Sequence, residues 1–378
     1  MDLTDEQVAM QEMLREVARE EIRPRARACD ETETFPEEVW DRLADLDVTG
    51  IAVPEAYGGI DLDRRTAAVV AEEVAYGMLA VATALGVHGL ATECIATFGD
   101  EDIKTEWLPD MADGRPVGAF ALSEPHAGSN PRALTTTAES VGDSYEISGT
   151  KQWITNGNRA GVIILFARTD RDDPNTITQF LVPADTDGVS VSSTEEKLGL
   201  RASDTCQLTF ENATIPADYR LTEVGRGLNA AFEILNGGRV SIAAQSVGVA
   251  QAALDDALDY AMEREQFDQP IGDFQAIRHK LADMATKVSA GRLLTHEAAR
   301  RLDAGESAAM HASMAKAFAT EASVAVTNEA VQIHGGAGYI AETDIERLYR
   351  DAKVTTIYEG TTQIQRKIIA RHLLENHR

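Results

Sequence analysis

Cysteine, lysine and long apolar runs are what this chain has least of. Only three cysteines occur in 378 residues, Cys29, Cys94 and Cys206, far apart and with no C-x-x-C pair. That spacing excludes a disulfide frame and a thiolate zinc site, and no metal site is expected; the thiols read as buried groups of a reducing compartment. No stretch reaches membrane-spanning length without a charge, so no membrane partner is expected. The opening MDLTDEQVAMQEML carries acids and no long apolar run, so no secretory leader is expected and the protein reads as cytoplasmic. Internal repeats and low-complexity linkers are missing. So is a G-x-G-x-x-G run between a strand and a helix, which argues against a Rossmann-bound cofactor.

Positive charge is scarce as well. Thirty-five Lys and Arg, only eight of them Lys, face 62 acids, for a net charge of −27. Such a surface repels nucleic acid and anionic membranes. It also suits a high-salt habitat, where dense salt screens the self-repulsion of the fold.

What the chain does hold is apolar mass. It is 44% hydrophobic, ample for a large core, and long enough for two or three domains. Residues 1–116 read as a helical domain. Val8, Met13, Leu14 and Val17 are spaced for one helix face, and Thr4 with Glu6 suits a helix start. IAVPEAYGGIDLD is punctuated by Pro54 and Gly58-Gly59 and reads as a loop. Residues 117–225 turn to short β-branched or aromatic runs: VGAFAL, SYEISGTKQWIT, GVIILFAR, TQFLVP, GVSVSS and TCQLTFENATIP. The turn chemistry of DRDDPNT and ADTDG splits them. Residues 226–378 return to helix, with Ala250, Ala253, Leu254, Ala257, Leu258 and Ala261 in one stripe. The expected fold class is α+β: an N-terminal α-helical domain, a middle antiparallel β-barrel, and a C-terminal four-helix bundle.

Four segments could carry chemistry. FALSEPHAGSN (120–130) ends a strand in a Pro-Gly-Ser turn whose amides can hold an anion or a flat ring edge. In GTKQWITNG (149–157), Trp153 lies between two glycines; taken alone it reads as a core tryptophan. VQIHGGAGYI (331–340) has glycines that let backbone approach a ligand. The fourth, KVTTIYEGTT, places a lone acid, Glu359, among apolar and hydroxylic neighbours. Burial there would raise its pKa toward a working pH and make it a better general base.

EPHAGSN, KQWITNG, LNGGR, EREQF, QIHGGAGY, RDAK and IYEGTTQIQR, in that order and spacing, resemble the acyl-CoA dehydrogenase family across essentially the whole chain. The likeness is strongest to the short-, medium- or branched-chain side. It implies an FAD flavoprotein of fatty-acid β-oxidation that converts an acyl-CoA to its trans-2-enoyl-CoA, usually as a homotetramer. It implies an electron-transfer flavoprotein as acceptor.

The resemblance also assigns residues. Glu359 matches the base that takes the α-proton while hydride passes to flavin N5. A backbone N–H at that position and a flavin ribityl hydroxyl would bind the thioester carbonyl. Phe120, Leu122, Ser123, Ser129, Trp153, Ile154 and Thr155 match positions lining FAD, and Thr361 and Gln363 match further FAD contacts. Arg264, Phe267, Gln275, Gln332 and Gly336 match residues that hold a neighbouring subunit's FAD, so that two copies would share each site. Ser129, Asn236, Arg239, Tyr358 and Gly360 match substrate contacts. Some relatives carry the base directly before the GGR arginine; here that position is Gly238, which cannot serve. Asn236 replaces a usual acid, Asn130 a common Asp, and Asp268 a common Gly. His126 fills a variable position and reads as structural. An oxygen-using acyl-CoA oxidase and a family paralogue that binds without turnover are the alternatives. The absence of an extra C-terminal domain speaks against the first, and intact Glu359 against the second. No arginine occurs in 81–100 to pair with a second substrate carboxylate, which argues against a glutaryl-type substrate.

Overall fold

Thr4 opens the first helix, α1 (Asp5–Val17). Its hydroxyl accepts from the Gln7 N–H, and the Gln7 side chain accepts from the Thr4 N–H. This reciprocal box needs its partner at the third helical position, so Gln7, not Glu6, completes it. The computed structural model describes residues 3–375 and 377. One π-helical turn, Ala18–Ile22, joins α1 to α2 (Arg23–Thr32); α3 (Glu37–Ala44), α4 (Arg64–Gly77), α5 (Leu79–Phe98) and α6 (Glu101–Ala112) follow. By length and composition α5 could cross a membrane, but 72% of its apolar window is buried inside the protein, as in a core helix.

The chain then forms seven strands: β1 (Val117–Ala121), β2 (Thr137–Val141), β3 (Ser144–Thr155), β4 (Ala160–Arg168), β5 (Ile177–Pro183), β6 (Val189–Thr194) and β7 (Thr205–Pro216). They make one sheet in the order β1-β4-β2-β3-β7-β6, with β5 also paired to β4. The expected antiparallel pairing holds for β2–β3, β3–β7, β4–β5 and β6–β7. β1 instead joins β4 in parallel, because the β2–β3 hairpin lies between them and returns the chain in its original direction. β4 reads as an unbroken apolar run because both of its faces are covered. Val162, Ile164 and Phe166 pack with α5 and α6, while Ile163, Leu165 and Ala167 pack with Ile147, Phe180 and Leu208 across the sheet.

Helices close the chain: α7 (Gly227–Glu263), the small hairpin β8 (Glu265–Gln266) and β9 (Gln269–Pro270), α8 (Gln275–Asp303), α9 (Ala309–His334), α10 (Ile345–Thr355) and α11 (Thr362–Glu375). α7, α8 and α9 pack on one another, with α11 against α9 and α4 against α7. Five members of the sequence stripe on α7 are buried; Leu258, at its edge, stays 40% exposed. A continuous apolar cluster runs from Leu14, Trp40 and Met78 through Val247 and Leu254 to Ala319 and Leu348. The two helical parts therefore share one core. The approach of α4 to α7 is close enough that a Cβ on Gly248 would strike the Glu72 carbonyl.

Candidate active site

Glu359 sits between α10 and α11 in the left-handed region, φ 49°, followed by Gly360 at φ 91°. For a non-glycine residue that conformation costs about 1–3 kcal/mol and persists only where the surroundings impose it. Here side chains from three helices impose it. Buried Lys316, on α9, donates to the Tyr358 carbonyl (2.7 Å) and the Gly360 carbonyl (2.6 Å), on either side of Glu359. Buried Gln365, on α11, donates to the Gly360 carbonyl (2.9 Å) and the Glu359 carbonyl (3.3 Å). The Tyr358 hydroxyl meets the Thr83 hydroxyl of α5 at 3.3 Å.

The turn aims the Glu359 carboxyl at α7. Its Oε2 is shielded from solvent and has no hydrogen-bond partner among the described residues. The space it occupies is the missing side chain of Gly238. A Cβ there would lie nearer to Oε2 than real Cβ contacts come, and within 3.3 Å of Leu90. The glycine unable to act as a base is thus the glycine that makes room for the Glu359 carboxyl. Burial pushes the Glu359 pKa up to about 7, with Lys316 and Arg239 pulling the other way. Burial also lowers the Lys316 pKa. Arg239 is buried, donates to Asn236 Oδ1 at 2.6 Å, and leaves its Nε unpartnered. Asn236, at the position of the usual acid, supplies a neutral acceptor to this arginine.

A second group of residues lies on the sheet. Lys151 pairs with Leu208 and Ile154 with Cys206, so Gln152 and Trp153 together oppose a single residue. This bulge re-aims Trp153, which adopts φ 59° and is 53% exposed. The core tryptophan expected from the segment alone is therefore a surface-facing ring beside Gly128, where a Cβ would lie 3.8 Å from it. The Ser123 carbonyl accepts from the Gln152 N–H (3.0 Å) and holds the 123–129 turn to the bulge. Fully buried Lys151 donates to Glu124 Oε1 (2.8 Å) and the Leu122 carbonyl (3.3 Å). Burial alone would raise the Glu124 pKa. Lys151 and the Thr135 and Thr136 donors outweigh it and hold the carboxyl at about 2. Phe120 packs on Phe166 at 4.9 Å, Ile154 is buried, Leu122, Ser123 and Thr155 are half-buried, and Ser129 is exposed. His126 meets the Ala133 carbonyl (3.2 Å) and lies 3.7 Å from Glu124 Oε2.

Helix α5 ties the two groups together. The Asn156 amide donates to the carbonyls of Ala84 (2.9 Å) and Gly118 (3.1 Å), one residue from the Thr83–Tyr358 contact. Beyond Glu359, Thr361 and Gln363 line a cavity of about 290 Å³ with Lys353, Thr356 and Glu321.

A third group gathers elsewhere. Arg264 ends α7, Phe267 (87% exposed, φ 54°) tips the hairpin, and Gln275 starts α8. Gln332 lies in the last turn of α9 and Gly336 in the short turn after it, both exposed, and the Tyr260–His334 ring stack (4.3 Å) binds that end to α7. Gly238 and Arg264 are 26 residues apart on one helix, about 39 Å at 1.5 Å per residue. Within one chain Arg264 does not share a site with Glu359, and on α9 Gln332 lies 16 residues, about 24 Å, beyond Lys316.

Sequence reasoning missed Lys316, Gln365, Thr83 and the Lys151–Glu124 pair. Lys316 left a trace: a lysine inside the Ala- and Ser-rich stripe SMAKAFATEAS, in a chain with eight lysines.

Solved structures place this architecture among flavin-dependent oxidoreductases. Butyryl-CoA dehydrogenase from Megasphaera elsdenii superposes with a TM-score of 0.96 at 36% identity over 99% of both chains. A glutaryl-CoA dehydrogenase from Mycobacterium smegmatis, in complex with FADH2, gives 0.94 at 30% identity, over 99% of this chain and 95% of that one. A chain from work on the electron-transferring flavoprotein of Acidaminococcus fermentans and flavin-based electron bifurcation gives 0.97 at 37%, over 99% of both. Three family models match in order: the acyl-CoA dehydrogenase N-terminal domain over residues 4–115, the middle domain over 119–213 and the C-terminal domain over 225–374. An acyl-CoA dehydrogenase of Bacillus subtilis is 44% identical over 99% of both chains. The mitochondrial short-chain specific acyl-CoA dehydrogenase of Bos taurus is 41% identical over all of this chain and 92% of its own length. The chain belongs to the acyl-CoA dehydrogenase family, oxidoreductases that use FAD.

Proposed function

We propose that this protein oxidises a short-chain acyl-CoA to its trans-2-enoyl-CoA, with Glu359 as the base that takes the α-proton. The observation that carries the reading is the Glu359 Oε2, buried against the Cβ-free Gly238 and without a partner among the described residues. An orphaned, desolvated carboxylate is poised to accept a proton from carbon near neutral pH. The Glu359 backbone N–H donates no hydrogen bond among the described residues and is free to receive the thioester oxygen, whose charge grows as the α-proton leaves. Arg239 and Lys316 add positive charge near the Glu359 carboxyl. Leu90, beside Gly238, keeps water from the acid.

The residues present fit FAD: an exposed, flat Trp153 beside a glycine, a turn carrying the half-buried Ser123 and exposed Ser129 hydroxyls, and the cavity at Thr361 and Gln363. When bound, FAD supplies a two-electron acceptor for the β-hydride at N5. Trp153, Ile154 and Thr155 would lie along its ring, with Phe120, Leu122, Ser123 and Ser129 beside them. Asn236, Tyr358 and Gly360 would border the substrate. Arg264, about 39 Å from Gly238 along α7, would hold the cofactor of a second copy together with Phe267, Gln275, Gln332 and Gly336; that separation supports a dimer as the minimal active unit, within the homotetramer the family resemblance implies. An electron-transferring flavoprotein is the proposed acceptor, on the likeness to the Acidaminococcus-study chain. A cytoplasmic location belongs to the same reading, supported by three unpaired cysteines.

Glu359→Gln tests the base directly. The variant should purify yellow and bind butyryl-CoA, yet lose anaerobic flavin bleaching by about 10²–10⁴-fold. Bleaching at the wild-type rate would sink the assignment. Oxygen uptake during turnover would replace the flavoprotein acceptor with oxygen.

A further inference from the structure

We propose that Lys316 is the positioning residue of this site: from α9 it clamps both carbonyls that flank Glu359, and its charge sets how readily that acid gives up and takes a proton. The inference rests on Glu359 being the base.

The geometry is specific. A lysine has three donors, and two of them are spent on Tyr358 and Gly360 rather than on a carboxylate. An ammonium buried at 0% exposure without an acid in hydrogen-bond reach is costly, since its water is replaced only by two carbonyls. Those two carbonyls bracket the one residue of the loop that must stand in the left-handed region with its side chain turned to Gly238. Gln365 supports the same turn from the opposite side but carries no charge. The groups facing the Glu359 carboxyl are Lys316 from α9, Arg239 from α7 and the adjoining Tyr358, which α5 holds through Thr83. Of these, only Lys316 both grips the backbone of the acid and places a positive charge near it. Taking that charge away disfavours the carboxylate, so the proton affinity of Glu359 rises. Taking the grip away lets the turn relax, and a displacement of about 1 Å at a reacting group costs on the order of 10²-fold in rate.

The test is anaerobic stopped-flow reduction of the bound flavin by butyryl-CoA across pH, on the FAD-loaded protein. Lys316→Met should keep bound FAD, slow reduction at neutral pH by on the order of 10²-fold, and move the midpoint of the pH profile upward. Lys316→Arg, which keeps the charge in a different shape, should return the midpoint toward wild type while recovering the rate only in part. An unchanged midpoint and rate in Lys316→Met overturns the proposal. If that variant does not fold, Lys316→Gln, neutral and with donors retained, is read for the same upward shift. Failure of both neutral variants to fold assigns Lys316 to the fold alone and also overturns it. Loss of the parent reading is separately visible: Glu359→Gln would then reduce flavin normally, whatever Lys316 does.

Discussion

At the scale of single residues, the site depends on one side chain that is missing. Gly238 has no conformational need to be glycine, since it lies inside α7, where glycine is disfavoured by about 1 kcal/mol against alanine. It is glycine because the Glu359 carboxyl fills its Cβ position. Gly238→Ala should therefore stabilise the free helix slightly and cut flavin reduction by about 10²-fold with FAD content unchanged; single-turnover kinetics beside flavin absorbance checks both. The raised Glu359 pKa gives a sign for pH. As the proposed base, Glu359 would work ionised, so the reduction rate should climb as pH rises through about 7 and level off above it. A rate that falls over this range contradicts the assignment.

Glu359 stood out in the sequence as a lone acid in an apolar, hydroxylic loop, and the resemblance of IYEGTTQIQR gave it its expected role. Its partners were not. Lys316 lies 43 positions earlier on another helix, and no local pattern says that a buried lysine serves carbonyls rather than an acid. The role of Gly238 was half visible: its inability to act was plain, while the space it leaves exists only once α7 and the α10–α11 loop meet.

At the scale of elements, short β-branched or aromatic runs were enough to place six of the seven strands, because such runs leave a strong mark; β2, the mostly polar and half-exposed TAESV, was not among them. The bulge at Gln152–Trp153 left none. A one-residue excess between β3 and β7 is set by cross-strand register, and it reverses the burial of Trp153. Behind that bulge lies the Lys151–Glu124 pair, both members buried. Lys151→Met leaves Glu124 charged, buried and short of a partner, and should cost about 3–5 kcal/mol. Calorimetry should show a melting temperature several degrees lower, and FAD retention should fall with it, since Lys151 also holds the Leu122 carbonyl.

For the molecule as a whole, the order of helices, sheet and helices was readable from composition along the chain. The shared apolar core of its two helical parts was not, because contacts such as α4 on α7 join segments about 170 residues apart. The charge of −27 carries its own expectation. Raising salt from about 0.01 M to about 1 M shortens the screening length from about 30 Å to about 3 Å, so self-repulsion fades and the melting temperature should rise. A fall on adding salt would count against a fold adapted to brine.

Helix α7 has a consequence for engineering. It carries the Gly238 gap near its start and Arg264 at its finish, so it acts as a ruler between two places that never meet in one chain. Adding a single residue midway would swing the far end by about 100° and lengthen the rod by about 1.5 Å. A graft from a relative into this segment must therefore match its length residue for residue, however well its chemistry agrees.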